Sequence, residues 1–492
     1  MSPETLRFHA VLRGHAERND GAIALWGDSL KMDYATLFAE VAYRRERLRD
    51  EGVQVVALAL DNGVDAMLWD LAVLFEGLTC LTLPPFFSAA QRAHCLEQSH
   101  AERVIAEPYL SQELEGLGYH KVGDFWCRHF DGRPSMPLGT AKVTFTSGTT
   151  GAPKGVCLSG ESLLRVAREL YQASHVNEPR HHLALLPLAI LLENLGCYAA
   201  LYAGATLSVP GQKSLGIQGA SAVDAAQLLG CLAARQPHSL ILVPQLLLML
   251  VIAAEQKAFS PRGLRFAAVG GARVSKALLQ RAQQLGMPVF EGYGLSECAS
   301  VVSLNVPQAQ RPGSVGKPLP HVDIRLAEDG EVLIKGSTLL GYLGQTEQPD
   351  TWWPSGDLGA FDEDGFLYLK GRKKHQFVTS YGRNVNPDWV EAELTQGGDI
   401  AQAFVYGEAL PHNHALLWPH RADCSDAQLA AAVAEANAGL PDYAQVHQWR
   451  RLDAPFTAAN GLLTANGRPR RDAIVARYHA YFTQPLNEDT PS

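Results

Sequence analysis

Between Val143 and Val156 the chain reads VTFTSGTTGAPKGV. A β-branched run delivers the backbone into a segment holding Gly148, Gly151 and Gly155, the hydroxyl residues Thr146, Ser147, Thr149 and Thr150, and one cation, Lys154. Glycines let backbone N–H groups turn inward, hydroxyls donate hydrogen bonds, and the lysine adds positive charge. That combination suits the tail of a nucleoside triphosphate. It is not the G-x-x-x-x-G-K-[ST] loop, because Gly148 and Gly151 stand too close and Gly155, not a hydroxyl, follows the lysine. A solvated Ser/Thr/Gly loop is the plainer alternative, and the rest of the chain decides between them.

The run resembles the T-S-G-T-T-G-x-P-K-G signature of adenylate-forming enzymes, the superfamily of acyl-CoA synthetases, luciferases and peptide-synthetase adenylation domains, and matches it at every fixed position. Further motifs follow in the family's order. VGGAR, Val269 to Arg273, resembles the strand end where Gly270, Gly271 and Ala272 pack along an adenine face. EGYGLSE, covering Glu291, Gly292, Tyr293, Gly294, Ser296 and Glu297, resembles the Y-G-x-T-E motif with serine for threonine. Tyr293 can stack on adenine, Ser296 can bind a phosphate oxygen, and Glu297 can hold Mg²⁺, a hard cation that takes oxygen ligands.

WWPSGDLG resembles the T-G-D motif with Ser355 for threonine, which gives Asp357 the ribose hydroxyls. GRKKHQFVTSYGRN resembles the hinge region. There the resemblance places Arg372 at the ribose, Lys374 at the hinge and Gly382 in a loop lining the thiol tunnel after the small domain rotates. His375 stands where an acidic residue is usual. NGRPRR, at 466–471, resembles the closing N-G-K-x-x-R motif with Arg468 in the lysine position. Arg470 reads as a solvated charge and Arg471 as a structural position.

The resemblance implies ATP, Mg²⁺ and CoA as cofactors and cosubstrates. A small-molecule carboxylate attacks the α-phosphorus to give acyl-AMP, and a thiol then takes the acyl group. Carboxylate and triphosphate repel, so preorganised cations must neutralise both. Lys154, Glu297 with its metal, and Arg468 fill those roles, with Lys154, Lys373 or Lys374 as candidates to compensate for the lysine that Arg468 replaces. CoA is the expected acceptor. A carrier-protein thiol, an amine, lactone closure, and a degenerate ligand-binding member remain as alternatives. LALLPLAILLENLG, Leu183 to Gly196, resembles the P-L-x-H-x-x-E-R region of bacterial long-chain acyl-CoA synthetases. Glu193 is kept, Ile190 replaces the histidine, Asn194 replaces the arginine, and no aspartate stands nearby for a substrate amine. An apolar acid, fatty or aryl-aliphatic, follows.

The elements that must position these residues are those of an α/β protein. DYATLFAEVAYRRERLRDEG has helical spacing, VQVVALALDN and LTCLTLPP read as strands, and GVDAMLWDLAVLFEG between them reads as a helix. HLALLPLA, HSLILVPQ and LRFAAVGG continue the alternation, which favours a parallel sheet. From about Asn305 the texture shifts to short β segments with hairpin signals at Asp329-Gly330 and Asp364-Gly365. The expected architecture is a large N-terminal domain of mixed α/β subdomains with a small β-rich subdomain, residues 1–372, plus a small mobile α+β C-terminal domain, residues 373–492.

Composition sets the outer bounds. With 492 residues, 47% hydrophobic and 19% charged, the chain is an ordinary globular one. A net charge of -9 argues against a nucleic-acid partner. Cys80, Cys95, Cys127, Cys157, Cys197, Cys231, Cys298 and Cys424 are scattered without metal spacing. The first twenty residues carry no apolar signal core, and LILVPQLLLMLVIAA, Leu240 to Ala254, is too short for a membrane span. Together these point to a cytoplasmic protein.

Overall fold

The computed structural model describes residues 1–18, 20–49, 53–146, 153–219, 222–345, 352–464 and 467–483. A nine-stranded and an eight-stranded sheet dominate the described residues. In the first, His181–Leu183, Ser239–Leu242, Phe266–Val269 and Val289–Tyr293 lie side by side in parallel. In the second, Arg103–Ala106, Val55–Ala59, Thr79–Thr82 and Thr140–Thr146 are also parallel neighbours.

Local sequence chemistry explains the elements between them. The helix Tyr34–Leu48 starts where the Asp33 side chain accepts the Thr36 N–H, and it ends on Arg49. The glycine stop expected at Gly52 lies outside the described residues. Val64–Glu76 ends on Gly77 in the left-handed region, where only glycine is free of Cβ strain. The long apolar run at 240–254 divides at its proline: Ser239–Leu242 is a strand, and Pro244 takes the first turn of the helix Pro244–Glu255. Helices Val64–Glu76, Gly160–Ser174 and Leu191–Tyr202 join the two sheets, with Leu68, Phe75, Leu163, Leu195 and Tyr198 in one shared core.

Both Asp-Gly pairs lie between antiparallel strands. Val322–Leu326 pairs with Glu331–Gly336, and Trp353–Phe361 pairs with Leu367–Arg372. These four strands form a separate β unit. After residue 372 come a two-stranded pair, Phe377–Val378 with Asn384–Val385, and a three-stranded sheet of Ile400–Tyr406, Asn413–Pro419 and Val446–Arg451. Among the described residues no strand pairing crosses from these to the earlier sheets. No described helix is long and apolar enough to cross a membrane.

Candidate active site

The phosphate-type loop joins two antiparallel strands rather than a strand and a helix. Thr140–Thr146 pairs with Lys154–Ser159 in a register that sets Thr146 opposite Lys154 at the loop's base. Ser147, Gly148, Thr149, Thr150 and Gly151 lie outside the described residues. Lys154 is exposed, with its ammonium 5.7 Å from the centroid of the Tyr342 ring.

Strand register also builds the centre of the site. Asp357 and Arg372 are paired positions on neighbouring strands, so their side chains meet, with Arg372 Nε 2.9 Å from Asp357 Oδ1. Arg372 also donates to the Ser355 carbonyl at 3.0 Å. The Tyr293 hydroxyl, from the parallel sheet, donates to Asp357 Oδ2 at 2.6 Å. Burial pushes the Asp357 carboxyl above its ordinary value, against the pull of Arg372 and the Tyr293 bond. Each carboxylate oxygen has a second lone pair, so Asp357 keeps acceptor capacity for two hydroxyls. Tyr293 is held by its tip and buried, a placement that sequence spacing alone did not reveal.

The adjoining glycines have steric reasons. A Cβ on Gly294 would fall 1.5 Å from the Ser300 carbonyl oxygen, so the segment carrying Glu297 can fold back only over glycine. Gly270 approaches the Gly292 carbonyl so closely that a Cβ there would lie 3.2 Å from it. Gly271, Ala272 and Arg273 are exposed, leaving a bare strand end that can receive a flat ring. Glu291, one strand over, is buried, and its Oε2 has no hydrogen-bond partner. Burial pushes its carboxyl up to about 8, opposed by Arg273 and the Val274 N–H.

Ser296 and Glu297 are half-buried. Glu297 Oε1 accepts from the Tyr342 hydroxyl at 3.3 Å, and among the described residues no cation lies within 4.0 Å of this carboxylate. One hard oxygen is thereby left for Mg²⁺, which typically takes one or two carboxylates and fills its shell with phosphate oxygens and water. The residues present fit that ion. A buried trio, His182, Glu193 and Cys197, also brings ligand atoms together. It is internally consumed: Glu193 accepts from His182 at 3.0 Å and from the Leu185 and Leu186 N–H groups at 3.2 and 2.9 Å. Glu193 therefore fixes the backbone at Leu185 and Leu186 rather than facing a ligand.

Arg468 is exposed. Desolvation and then repulsion from Arg372 lower its pKa, whereas Glu297, Asp357 and Asp388 raise it. A guanidinium stays charged under such shifts. The charges that act on Arg468 thus include Arg372, Glu297 and Asp357 as well as Asp388. Of the three candidates to compensate for the missing lysine, Lys373 has its ammonium engaged by Asp329 at 2.5 Å and Glu331 at 2.9 Å. Lys374 is near enough to Arg372 and Arg468 that both depress its pKa, behind desolvation.

The other arginines of the cluster are accounted for. Arg471 donates to Glu391 Oε1 at 2.9 Å and to the Val405 carbonyl at 2.7 Å, anchoring the terminal helix Arg471–Thr483. Arg470 is exposed. His375 pairs with Asp388 at 3.1 Å, so the substituted hinge position still finds a carboxylate partner. Gly382, at φ +70° in an exposed turn, makes no hydrogen bond to Asp357, Glu297 or Lys154 among the described residues.

Comparison with known proteins follows this geometry. Residues 12–343 match the family model described as AMP-binding enzyme. The long-chain-fatty-acid–CoA ligase FadD15 of Mycobacterium bovis is 28% identical over 429 residues, covering 71% of this chain and 70% of that protein. The 2-succinylbenzoate–CoA ligase of Bacillus licheniformis is 26% identical over 423 residues, covering 80% of this chain and 86% of its own. The structure of o-succinylbenzoate CoA synthetase from Bacillus subtilis, in complex with the acyl-adenylate intermediate OSB-AMP, superposes with a TM-score of 0.74 at 23% identity, covering 94% of this chain and 97% of that one. That likeness shows the fold.

Proposed function

The chain belongs to the AMP-binding enzyme family, and on that premise we propose that it is an AMP-forming acid–thiol ligase acting on an apolar carboxylic acid and CoA. The observation that carries the reading is convergence. Asp357, from one motif, is clamped between Tyr293 and Arg372, from two others that stand far apart in the chain.

In the first step a carboxylate oxygen attacks the α-phosphorus of ATP, the bond from that phosphorus to the α,β-bridging oxygen breaks, and pyrophosphate leaves with the electron pair. Lys154 and the hydroxyl loop hold the β- and γ-phosphates, Asp357 accepts from the ribose hydroxyls, and Glu297 would hold Mg²⁺. The ion, when bound, neutralises phosphate charge as a Lewis acid. Arg468 spans the α-phosphate and the incoming carboxylate, and its planar fork suits two anions at once. In the second step a CoA sulfur attacks the acyl carbon, the acyl–oxygen bond to AMP breaks, and the thiol proton passes to solvent. The division at 372/373 lets the segment bearing Arg468 leave and the Gly382 turn approach.

The acid wall supports an apolar substrate. Glu193 and Asn194 are both tied internally, and Lys142 behind them is neutralised by Asp70 at 2.7 Å. No free cation is offered there, among the described residues, to a second carboxylate. A monocarboxylic fatty or aryl-aliphatic acid therefore fits better than a dicarboxylate. Eight free cysteines suit a reducing compartment, the cytoplasm.

A pyrophosphate-release screen over straight-chain, branched, aromatic and dicarboxylic acids, repeated with CoA, with an amine and with neither, tests the reading by product mass. Apolar monoacids should release pyrophosphate and give thioesters only with CoA. Release with no acid tested, or amide as the sole product, would reject it.

A further inference from the structure

Tyr342 belongs to none of the sequence motifs above, yet it stands between two residues that they assign. The short strand Gly341–Tyr342 adds to the edge of the eight-stranded sheet beside the strand that opens with Lys154, pairing Tyr342 with Val156. Backbone bonds fix it from both sides: Leu343 N–H to the Gly155 carbonyl at 2.8 Å, Leu340 N–H to the Cys157 carbonyl at 2.9 Å, and Leu339 N–H to the Glu297 carbonyl at 2.6 Å. Gly155 makes this approach feasible, since a Cβ there would lie 3.0 Å from Leu343 Cβ and 3.1 Å from Val143 Cγ1. The glycine after Lys154 thus admits the tyrosine-bearing segment to the base of the phosphate loop.

The side chain then spans the gap. Its hydroxyl donates to Glu297 Oε1 at 3.3 Å, its ring centroid lies 5.7 Å from the Lys154 ammonium, and Trp353 meets the ring edge-on at 6.1 Å. A carboxylate fixed through one oxygen presents the other, and a cation resting on a ring face loses conformational freedom before its ligand arrives. We propose that Tyr342 is a positioning residue for the adenylation step. It orients Glu297 toward the metal and Lys154 toward the β- and γ-phosphates as one unit. The inference rests on the AMP-forming reading.

Binding measurements separate the two contacts. Tyr342→Phe keeps the ring and loses the hydroxyl; Tyr342→Leu loses both. Mn²⁺ uptake into the ATP complex, followed by electron paramagnetic resonance, should weaken about five- to tenfold in Tyr342→Phe, while metal-free ATP affinity by calorimetry stays at the wild-type value. Tyr342→Leu should weaken both. Glu297→Gln gives the benchmark for losing the metal ligand. If Glu297→Gln weakens Mn²⁺ uptake and Tyr342→Phe does not, the positioning role is overturned and the ligase reading stands. If Glu297→Gln also binds Mn²⁺ normally, the metal assignment falls and the inference with it. Tyr342→Phe is close to isosteric, so it decides the matter even if Tyr342→Leu does not fold.

Discussion

Replacing Glu291 by glutamine should flatten the pH dependence of stability. The carboxyl is buried at the middle of the Val289–Tyr293 strand with one oxygen unpartnered, and burial lifts it from 4.5 to about 8. Between those two values the native state keeps a proton that the unfolded chain releases. Native protein therefore binds more protons than unfolded, and stability falls as pH rises. The favourable contribution is complete below about pH 4.5 and is lost as pH climbs through about 8. Each pH unit inside the window is worth about 1.4 kcal/mol, so wild-type protein should lose roughly 2 kcal/mol from this group between pH 6 and pH 8. Glu291→Gln, neutral throughout, should not. Thermal unfolding of nucleotide-free protein at both pH values reads the difference. The variant's melting temperature should rise relative to wild type by about 2 °C on going from pH 6 to pH 8. A constant difference across that interval, or one of opposite sign, would refute the reasoning.

Other perturbations have equally definite outcomes. Arg468→Ala should slow acyl-AMP formation about 10²–10³-fold, measured as pyrophosphate release, while CoA thiolysis of supplied acyl-AMP changes far less. Lys142 is buried against Asp70, Asn194 and Tyr198, and its ammonium lies 2.7 Å from both Asp70 and Asn194. Lys142→Met leaves that carboxylate unpaired and should destabilise the protein by about 3–5 kcal/mol in urea melts. Replacing Asp70 by Leu in the same protein should recover a substantial part.

Much of this site was legible in the sequence because its residues occur in short local runs. The strand–helix alternation up to residue 300 and the two Asp-Gly hairpins followed from periodicity and turn chemistry, which act over neighbouring residues. Contacts set by distant register were not legible. Asp357 meets Arg372 because their strands pair, and it meets Tyr293 because two sheets abut. Tyr342 sits in no chemistry-bearing run; a lone tyrosine after glycine gives no signal until the sheet edge brings it to Lys154. Glu193 and Lys142 show the converse. Glu193 stood in a run that resembled an acid-side motif, and the fold uses it to hold the backbone at Leu185 and Leu186. Lys142, which belongs to no motif, is fully buried, and nothing in its neighbours along the chain announces the Asp70 partner. The carboxylate partners of Lys373, one of three candidate compensating cations, were equally hidden: the Asp329-Gly330 hairpin, read only as a turn, brings Asp329 and Glu331 to it.

The central claim is that a carboxylate oxygen attacks the α-phosphorus and departs with AMP. A fatty acid labelled with ¹⁸O in both carboxylate positions, incubated with ATP, Mg²⁺, CoA and the protein, tests it directly by mass spectrometry of the nucleotide. The account predicts AMP carrying one ¹⁸O and unlabelled pyrophosphate. Unlabelled AMP, or label in inorganic phosphate alongside ADP, would contradict it.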